Sequence, residues 1–428
     1  MARTDARRGL MSNTEAITLE QVLSRETMQQ AWKSVKANKG AAGVDRKTID
    51  QTQDHLKQHW REIRHKIESS DYQPSAVRAV SIPKANGGNR LLGIPTVQDR
   101  LIQQALQIVI SAELDAQMSP HSYGFRPNRS AHDAVRAASD YVANGKVWVV
   151  DIDLKSFFDQ VNHDKLMHQL SGKIADKRIL KLIGRYLRAP MRHADGTQAK
   201  RLRGTPQGGP LSPLLANLYL TPLDQELTQR GIAFVRYADD IALFVSSERA
   251  AERVLESVKA WLHKQLDLEV NEDKSGAGKS DESQLLGFRI HRGGNTAPSP
   301  KSLMRLKQRV RELWSARQSL TLPELRKQWQ DYIRGWWNYF RFANWTWEVK
   351  KLSGWIRRHM RKYFWLRWHH RKGRYNALYR LGLRGRVLGM ASSRRGAWRM
   401  ARHFVMQQAL TTERLTRNGW YLPWMLAS

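Results

Sequence analysis

Apolar positions along the first 300 residues follow two alternating periods, which predict helices interspersed with short strands. A spacing of three to four residues predicts helices within 15–70, 97–118, 214–227 and 248–266. Period-two or continuous apolar runs predict strands at 77–82, 90–94, 147–154, 234–245, 267–271 and 285–290. Asn86 and Gly87 separate the first two strands and predict a hairpin, and the 234–245 run predicts a second hairpin with Asp239 and Asp240 at its turn.

The pattern changes near residue 295. Residues 293–298 combine four polar or glycine positions with Pro298 and predict the clearest linker in the chain. Beyond them the periodicity is helical throughout. Residues 276–280 end like a phosphate-binding P-loop, but Asp273 occupies the place of its first glycine and the segment reads as strand, so that interpretation is dismissed.

Charge is distributed unevenly about the same boundary. The first 300 residues contain 43 basic and 34 acidic side chains, whereas the last 128 contain 29 basic and 5 acidic ones. The net charge of the whole chain is +33. Residues 349–412 include 17 Lys and Arg and no carboxylate, and 12 of the 16 tryptophans lie beyond residue 300. This single-sign stretch favours a polyanionic partner, and Trp with Arg suits base stacking as well as phosphate neutralisation. A Trp-rich core under a merely solvated basic surface is the alternative, and an anionic membrane surface is a further one without any lipidation signal to support it.

Composition excludes several classes of protein. The chain has no cysteine, which excludes a disulfide framework and thiolate zinc sites. No run of about 18 apolar residues is present, so the sequence predicts no membrane span, and the Arg-rich N-terminus lacks the apolar segment of a secretory signal.

Carboxylates in two predicted strands carry the strongest chemical signal. Asp151 and Asp153 share one face of the 147–154 strand because side chains alternate along a strand. Asp239 and Asp240 lie at the turn of the second hairpin. Adjacent carboxylates are costly unless a hard cation neutralises them, and a structural salt-bridge cluster would need Lys or Arg partners that we do not expect in these strand cores. The pattern therefore predicts a centre for two Mg²⁺ ions, as nucleotidyl transfer requires.

Eight segments in chain order make the sequence resemble the reverse transcriptases encoded by bacterial group II introns, also called maturases. The segment that includes Phe157-Phe158-Asp159 is similar to the family's first catalytic motif, and Tyr237-Ala238-Asp239-Asp240 is similar to its second aspartate motif. The matching segments are 82–95, 122–132, 151–163, 204–213, 236–240, 271–275, 285–288 and 332–340.

The resemblance implies an α+β right-hand polymerase fold with fingers, a palm built on an antiparallel sheet, an α-helical thumb and a small basic tail. The implied parts are 1–75, an N-terminal extension and the start of the fingers; 76–295, fingers and palm; 296–370, the thumb or maturase-specific domain; and 371–428, a basic DNA-binding domain. The family often carries a C-terminal nuclease with paired cysteines and histidines, and this sequence is expected to lack it.

Residue roles follow from the same resemblance. The implied catalytic residues are Asp153, Asp239 and Asp240. Together with Leu154 they are the implied metal ligands, and Asp151 is a neighbour of the site and not a ligand. Nucleotide binding is implied for Lys84 and Arg90 on the triphosphate, Phe158 under the sugar, Gln207 beside the templating pair and Lys274 as the acid for pyrophosphate. Nucleic-acid contacts are implied for Arg126, Gly208, Gly209, Trp336, Arg394, Arg395 and Arg399. His369 and His370 are assigned to the basic surface.

The implied function is RNA-directed DNA polymerisation with two Mg²⁺ ions, on an intron RNA template with a DNA primer or target and deoxynucleoside triphosphates, together with intron RNA binding that assists splicing and mobility. The expected location is the bacterial cytoplasm, in association with the nucleoid, without a membrane. Two alternatives stay open: a free-standing reverse transcriptase with a host role in repair or defence, and a splicing-only RNA-binding maturase. A homodimer also stays open.

Overall fold

The computed structural model describes residues 16–83, 89–344 and 346–426. Contacts divide the chain into two units, Met1–Lys279 and Ser280–Ser428. The finer division into four parts remains a prediction.

Helices of the first unit begin where the sequence offers a polar cap. Thr18, Thr48 and Ser130 each accept a hydrogen bond from the third helical N–H, and the side chain at that third position bonds back to the cap. The helices are α1 Leu19–Val22, α2 Arg25–Ala37, α3 Ile49–Glu68, α4 Val97–Leu114, α5 Ala131–Ala143, α6 Phe157–Gln160, α7 His163–Ser171, α8 Lys177–Arg188, α9 Ser212–Gln229 and α10 Glu248–Trp261, the last continued by a π turn over Leu262–Leu266.

Two four-stranded sheets accompany these helices. The first sheet has the order β2-β1-β4-β5 and contains β1 Val77–Pro83, β2 Asn89–Ile94, β4 Met191–Arg192 and β5 Gln198–Ala199. The second sheet has the order β6-β7-β3-β8, with antiparallel neighbours, and contains β3 Trp148–Asp153, β6 Ala233–Tyr237, β7 Asp240–Val245 and β8 Gly276–Lys279. The predicted hairpins at 77–94 and 234–245 are therefore confirmed in their strands, while the 84–88 connection lies outside the described residues.

The core of this unit lies between the second sheet and the helices α4 and α9. Ile102 and Leu106 on α4, Leu220 on α9 and Val150 and Leu243 in the sheet are fully buried. Each such side chain contributes roughly 1.5–3 kcal/mol through the apolar area it removes from water. This packing fixes the sheet that carries the carboxylates at the ends of its two central strands.

Two predictions about strands and linkers were wrong. Residues 267–271 form no strand; Asp267 has φ +54 at the end of the π turn, and only Val270 makes a single bridge, to Leu154. The predicted linker at 293–298 is instead a turn and a strand, because Gly293 and Gly294 adopt φ of +83 and +84 and join β9 Phe288–Ile290 to β10 Thr296–Pro298.

The second unit is helical after β10, as predicted. Its helices are α11 Pro300–Leu313, α12 Leu322–Phe340, α13 Thr346–Arg367, α14 Arg371–Arg380, α15 Ala397–Arg402, α16 Phe404–Ala409 and α17 Thr412–Arg417. Trp314 is 1% exposed and packs edge-on against Trp329, Tyr363 and Trp420 with ring centroids 5.1–5.6 Å apart. Several of the clustered tryptophans thus form a core, whereas Trp398 is exposed. Within the described parts of the chain, no helix is both long enough and apolar enough to cross a bilayer.

Candidate active site

The second sheet brings the predicted catalytic carboxylates to one end. Asp153 ends β3 and is the direct antiparallel partner of Asp240, which begins β7. Asp239 precedes Asp240 in the tight turn that joins β6 to β7, where Ala238 adopts φ +60. Register alone therefore places Asp153 opposite the Asp239–Asp240 pair.

The backbone around Asp153 is held from the other side. Asp153 donates its N–H to Ser275 Oγ at 2.9 Å, and its carbonyl accepts the N–H of Asn271 at 2.8 Å. Because successive residues of a strand direct their carbonyls to opposite sides, the carbonyl of Leu154 faces away from this segment, toward the side of the β6–β7 turn. The predicted ligand Leu154 thus presents its only hard oxygen on the side of the carboxylates.

Negative charge accumulates at this end of the sheet. Desolvation, followed by repulsion from Asp239 and Asp153, raises the pKa of Asp240 to about 6. Desolvation and then the Asp153 carboxylate also raise the pKa of Asp239, and Arg90 partly opposes that rise. Burial is the largest cause of both raised pKa values, and bound metal ions would favour the charged form of these carboxylates.

The donor set fits a hard divalent cation. No group of three or more His, Asp or Glu side chains within the described residues is close enough to cage an ion by itself. Magnesium is usually held by one or two carboxylates together with water and substrate phosphates, so an open arrangement of Asp153, Asp239 and Asp240 suits it.

Two predicted cations lie beside these carboxylates. Lys274 Nζ is 3.8 Å from Asp153 Oδ2, and the Lys274 side chain remains 60% exposed. Arg90 is exposed on β2 and acts electrostatically on Asp239. Lys84 lies outside the described residues.

Asp151 is set back from this end of the sheet. Its partners are Ala242 on β7 and Gly276 on β8, two positions inside the strand from Asp153. It shares the face of Asp153 but does not stand opposite the Asp239–Asp240 turn.

The segment with Phe158 is joined to the glycine-rich loop at 204–213. Thr205 N–H donates to the Phe158 carbonyl at 2.7 Å, and Gly204 N–H donates to the Val161 carbonyl at 2.8 Å. A side chain at Gly204, whose φ is +82, would meet the backbone of Phe158 and Asp159 at 2.8 Å. Phe158 itself is half-buried, with its ring edge-on to Phe157 at 5.3 Å.

Gly208 and Gly209 pack closely against other parts of the protein. A Cβ at Gly208, whose φ is +134, would stand 2.9 Å from the Gly93 carbonyl oxygen, and a Cβ at Gly209 would stand 2.5 Å from Gln103 Oε1. Gln207 is half-buried, and its carbonyl accepts the Gly93 N–H at 2.9 Å. This loop is therefore joined to β2. The φ of Gly208 and its close approach to the Gly93 backbone require a glycine there, whereas a side chain at Gly209 would displace the end of the Gln103 side chain.

Arg126, which was predicted to contact nucleic acid, has protein groups as its partners in this structure. The residue is 8% exposed, and its guanidinium donates to both carboxylate oxygens of Asp115, to the Asp115 carbonyl and to the carbonyls of Ser119 and Ser122. Arg126 fixes the loop that leads to Gly124 and leaves no donor for a phosphate.

Sequence reasoning missed a buried positioning network under the Asp239 turn. Arg236 and Asp224 are fully buried and form two hydrogen bonds, Nε to Oδ1 at 2.7 Å and Nη2 to Oδ2 at 2.6 Å. Arg236 Nη1 also donates to Asn217 Oδ1 at 2.9 Å and to the Ala238 carbonyl at 3.1 Å. Asn217 in turn donates to the carbonyl of Gly124, and a Cβ at Gly124 would be 2.5 Å from Ala238 N. The expectation that β6 lacks a cation was thus wrong, but Arg236 serves the turn backbone instead of the catalytic carboxylates.

Comparison with known proteins agrees with the resemblance to group II intron reverse transcriptases. The family described as "Reverse transcriptase (RNA-dependent DNA polymerase)" matches residues 82–290, and the "Group II intron, maturase-specific domain" matches residues 303–382. Protein YkfC of Escherichia coli is 32% identical over 316 residues, which are 64% of this chain and 82% of YkfC. The chain belongs to the group II intron reverse transcriptase and maturase family. By family it is an RNA-directed DNA polymerase with a maturase-specific domain, and its fold class is the predicted α+β right-hand polymerase.

A second relative is matched over little more than half of its own length. Group II intron-encoded protein LtrA of Lactococcus lactis is 28% identical over 341 residues, 63% of this chain but only 56% of LtrA. Among solved structures, telomerase of Candida albicans is similar with a TM-score of 0.43 and 13% identity, over 74% of this chain and 64% of that one. A partial Cas6-RT-Cas1–Cas2 complex is similar with a TM-score of 0.36 and 24% identity, over 56% of this chain and 42% of that one.

Residues predicted to touch nucleic acid in the second unit differ in exposure. Trp336, within the maturase-specific domain, is half-buried and packs against Phe340 with ring centroids 4.9 Å apart. Arg394, Arg395 and Arg399 are all exposed, and none forms a salt bridge within the described chain. These three arginines therefore present free positive charge to solvent.

Proposed function

We propose that this reverse transcriptase copies RNA into DNA by Mg²⁺-dependent transfer of deoxynucleotides to a primer 3′ end, with the site formed by Asp153, Asp239 and Asp240. The observation that carries the proposal is the register that sets Asp153 directly opposite Asp240, with Asp239 in the adjoining turn. Burial raises the pKa of Asp239 and Asp240, and bound cations would offset that cost, which supports a metal site here.

Two Mg²⁺ ions would be held by these carboxylates and the Leu154 carbonyl, and when bound they supply Lewis acidity toward the primer hydroxyl and the triphosphate. Asp153 and Asp240 orient the site because they are fixed on neighbouring strands. The buried pair Arg236–Asp224 keeps the Asp239 turn in place from below.

Two cations beside the carboxylates fit the charge of the substrate. Arg90 on β2, whose charge lowers the pKa of Asp239, is proposed to contact the triphosphate, and Lys84 of the same hairpin is proposed for the same task. Lys274, 3.8 Å from Asp153, is proposed to hold and protonate the leaving pyrophosphate.

Nucleotide choice is assigned to the segment on the other side of the site. The Phe158 ring would lie under the deoxyribose and exclude a 2′ hydroxyl by contact. Gln207, on the loop fastened to β2 and to the Phe158 backbone, would lie beside the templating pair.

The RNA partner is proposed to be an intron RNA, bound by the maturase-specific domain and the basic second unit to assist splicing and mobility. The acid-free stretch 349–412, with exposed Arg394, Arg395 and Arg399, supports a polyanion at this unit. Three intact carboxylates in catalytic register favour a polymerase over a splicing-only maturase.

Primer extension tests the proposal. The purified chain, an RNA template, a labelled DNA primer, deoxynucleoside triphosphates and Mg²⁺ should give full-length DNA, and EDTA should stop the reaction. Asp239→Asn should abolish extension while RNA affinity, measured by filter binding, stays near that of the parent. Absence of product from the parent, or extension by Asp239→Asn, would refute the assignment.

A further inference from the structure

Two tyrosines on α14 form a parallel pair on the surface of the second unit. Tyr375 and Tyr379 are 45% and 49% exposed. Their ring planes are within 6° of parallel, and their centroids are 6.5 Å apart. Stacked nucleotides repeat about every 3.4 Å along a strand, so a base between two parallel rings needs them roughly 6.8 Å apart. The centroid spacing of the pair is close to this distance.

Arg384 packs against the ring of Tyr379. Its guanidinium lies 4.0 Å over the Tyr379 ring, and its Nη1 donates to the Tyr379 carbonyl at 2.7 Å. One face of the Tyr379 ring is therefore covered by Arg384. Tyr375 lies four residues earlier, about one helical turn toward the N-terminus and on the same side of α14.

The charge around the pair is suited to a nucleic-acid strand. Arg371, Lys372, Arg380 and Arg386 are exposed on α14 or in the segment that follows it, and residues 349–412 contain no carboxylate. Arg374, by contrast, lies 4.4 Å over the Trp365 ring and packs within the unit. Exposed cations beside exposed rings are the combination that proteins use to bind the backbone and bases of single strands.

We propose that Tyr375 and Tyr379 clamp one unstacked base of a single-stranded RNA segment, with Arg384 supporting the outer ring by a cation–π contact. The occupant is RNA because both tyrosines lie within residues 303–382, the maturase-specific domain, and because RNA loops and bulges offer unstacked bases that duplex DNA does not. The proposal rests on the proposed function only for the presence of an RNA partner.

The test measures binding of a short single-stranded RNA with one central 2-aminopurine to the full chain, without nucleotides. Tyr375→Ala and Tyr379→Ala should each weaken binding roughly 5- to 100-fold, the range for loss of one base–aromatic stack. Tyr375→Phe and Tyr379→Phe should bind within about twofold of the parent, because the ring and not the hydroxyl does the stacking. The 2-aminopurine fluorescence should be quenched on binding to the parent and to both Phe variants, and less so with either Ala variant.

Salt dependence separates stacking from charge. The Ala variants should keep the parent slope of log affinity against log salt, because no phosphate contact is removed. Phe404→Ala is the matched control, since Phe404 is 53% exposed in the same unit and its ring neighbour, His403, is tilted from it by 35°. It should leave RNA affinity unchanged.

Several outcomes would overturn the clamp: unchanged RNA affinity in both Ala variants, an equal loss in Phe404→Ala, or a reduced salt slope. A loss confined to single-stranded DNA of the same sequence would assign the tyrosines to DNA and end the RNA proposal. Circular dichroism and urea midpoints equal to those of the parent show that the variants are folded. RNA binding is also measured for the Tyr→Ala variants in the Asp239→Asn background. The clamp predicts the same loss of RNA affinity there, although primer extension fails, so failure of one proposal can be distinguished from failure of the other.

Discussion

Arg236 and Asp224 form a fully buried, doubly hydrogen-bonded ion pair directly under the turn that carries Asp239. The same guanidinium reaches the Ala238 carbonyl, so the pair joins α9 to the backbone of the catalytic turn. Ala238 adopts φ +60, which costs an alanine about 1–2 kcal/mol, and this contact helps to hold it there.

Removing one partner of this pair should destabilise the first unit strongly. Asp224→Asn leaves the Arg236 charge buried without its counter-ion, and we expect a loss of about 3–5 kcal/mol in the free energy of unfolding. Urea unfolding measures it. The matched control is Asp54→Asn, because Asp54 pairs with Lys57 on an exposed helix face and should lose about 1 kcal/mol or less. Equal losses in the two variants would contradict a special role for the buried pair.

The two aspartates of β3 should differ in importance. Asp153→Asn should abolish primer extension, because Asp153 stands opposite Asp240, whereas Asp151→Asn, two positions inside the strand, should reduce it less. RNA affinity in filter binding should change little in both. An inactive Asp151→Asn together with an active Asp153→Asn would show that the catalytic ligand has been assigned to the wrong aspartate.

Nucleotide choice should depend on Phe158. Phe158→Ala removes the ring proposed to lie under the sugar, so ribonucleotides should be incorporated more readily, with only a modest loss of deoxynucleotide incorporation. Single-nucleotide extension with either substrate gives the ratio of kcat/KM values. If the preference for deoxynucleotides is the same in the variant and the parent, Phe158 does not set it.

The exposed arginines of the second unit should contribute mainly through charge. Replacing Arg394, Arg395 and Arg399 together by Gln should weaken RNA binding and lower the slope of log affinity against log salt by up to roughly 2–3, since each phosphate contact contributes about 0.7–0.9. Extension of a saturating primer–template should persist. A slope identical to that of the parent would mean that these arginines are only solvated.

Acid should destabilise the second unit through His359. The side chain is 5% exposed between Trp355 and Trp398, and desolvation, then Lys362, Arg311 and Arg358, lowers its pKa to about 4. A histidine that must stay neutral when folded contributes full stability above the unfolded pKa of about 6.5 and loses it as the pH falls toward 4, by at most roughly 3 kcal/mol.

Urea unfolding followed by tryptophan fluorescence reports on this unit, because most tryptophans lie there. His359→Phe should flatten the decline between pH 6.5 and 4, while a His370→Phe control at an exposed position should keep it. A decline of the same steepness in His359→Phe would assign the acid sensitivity to other groups.

Sequence by itself determined the elements that carry the chemistry. Two apolar strand runs with aspartates at defined positions predicted the β3 and β6–β7 strands, because period-two patterning and a tight turn are local properties. The acid-free composition of 349–412 likewise predicted a basic surface, since charge balance is additive along the chain.

Only the tertiary structure decided how distant residues are paired. Arg126 was predicted to contact nucleic acid, but the Asp115 carboxylate and the carbonyls of Asp115, Ser119 and Ser122 accept hydrogen bonds from its guanidinium. Arg236 has its counter-ion, Asp224, on α9. Gly93 and Gln103 pack against the glycines at 208 and 209, and the spacing of Tyr375 and Tyr379 depends on side-chain rotamers as well as on helical position. Such relations depend on which segments the core brings together, and burial and hydrogen bonding across the fold set them; no local period along the chain encodes that choice.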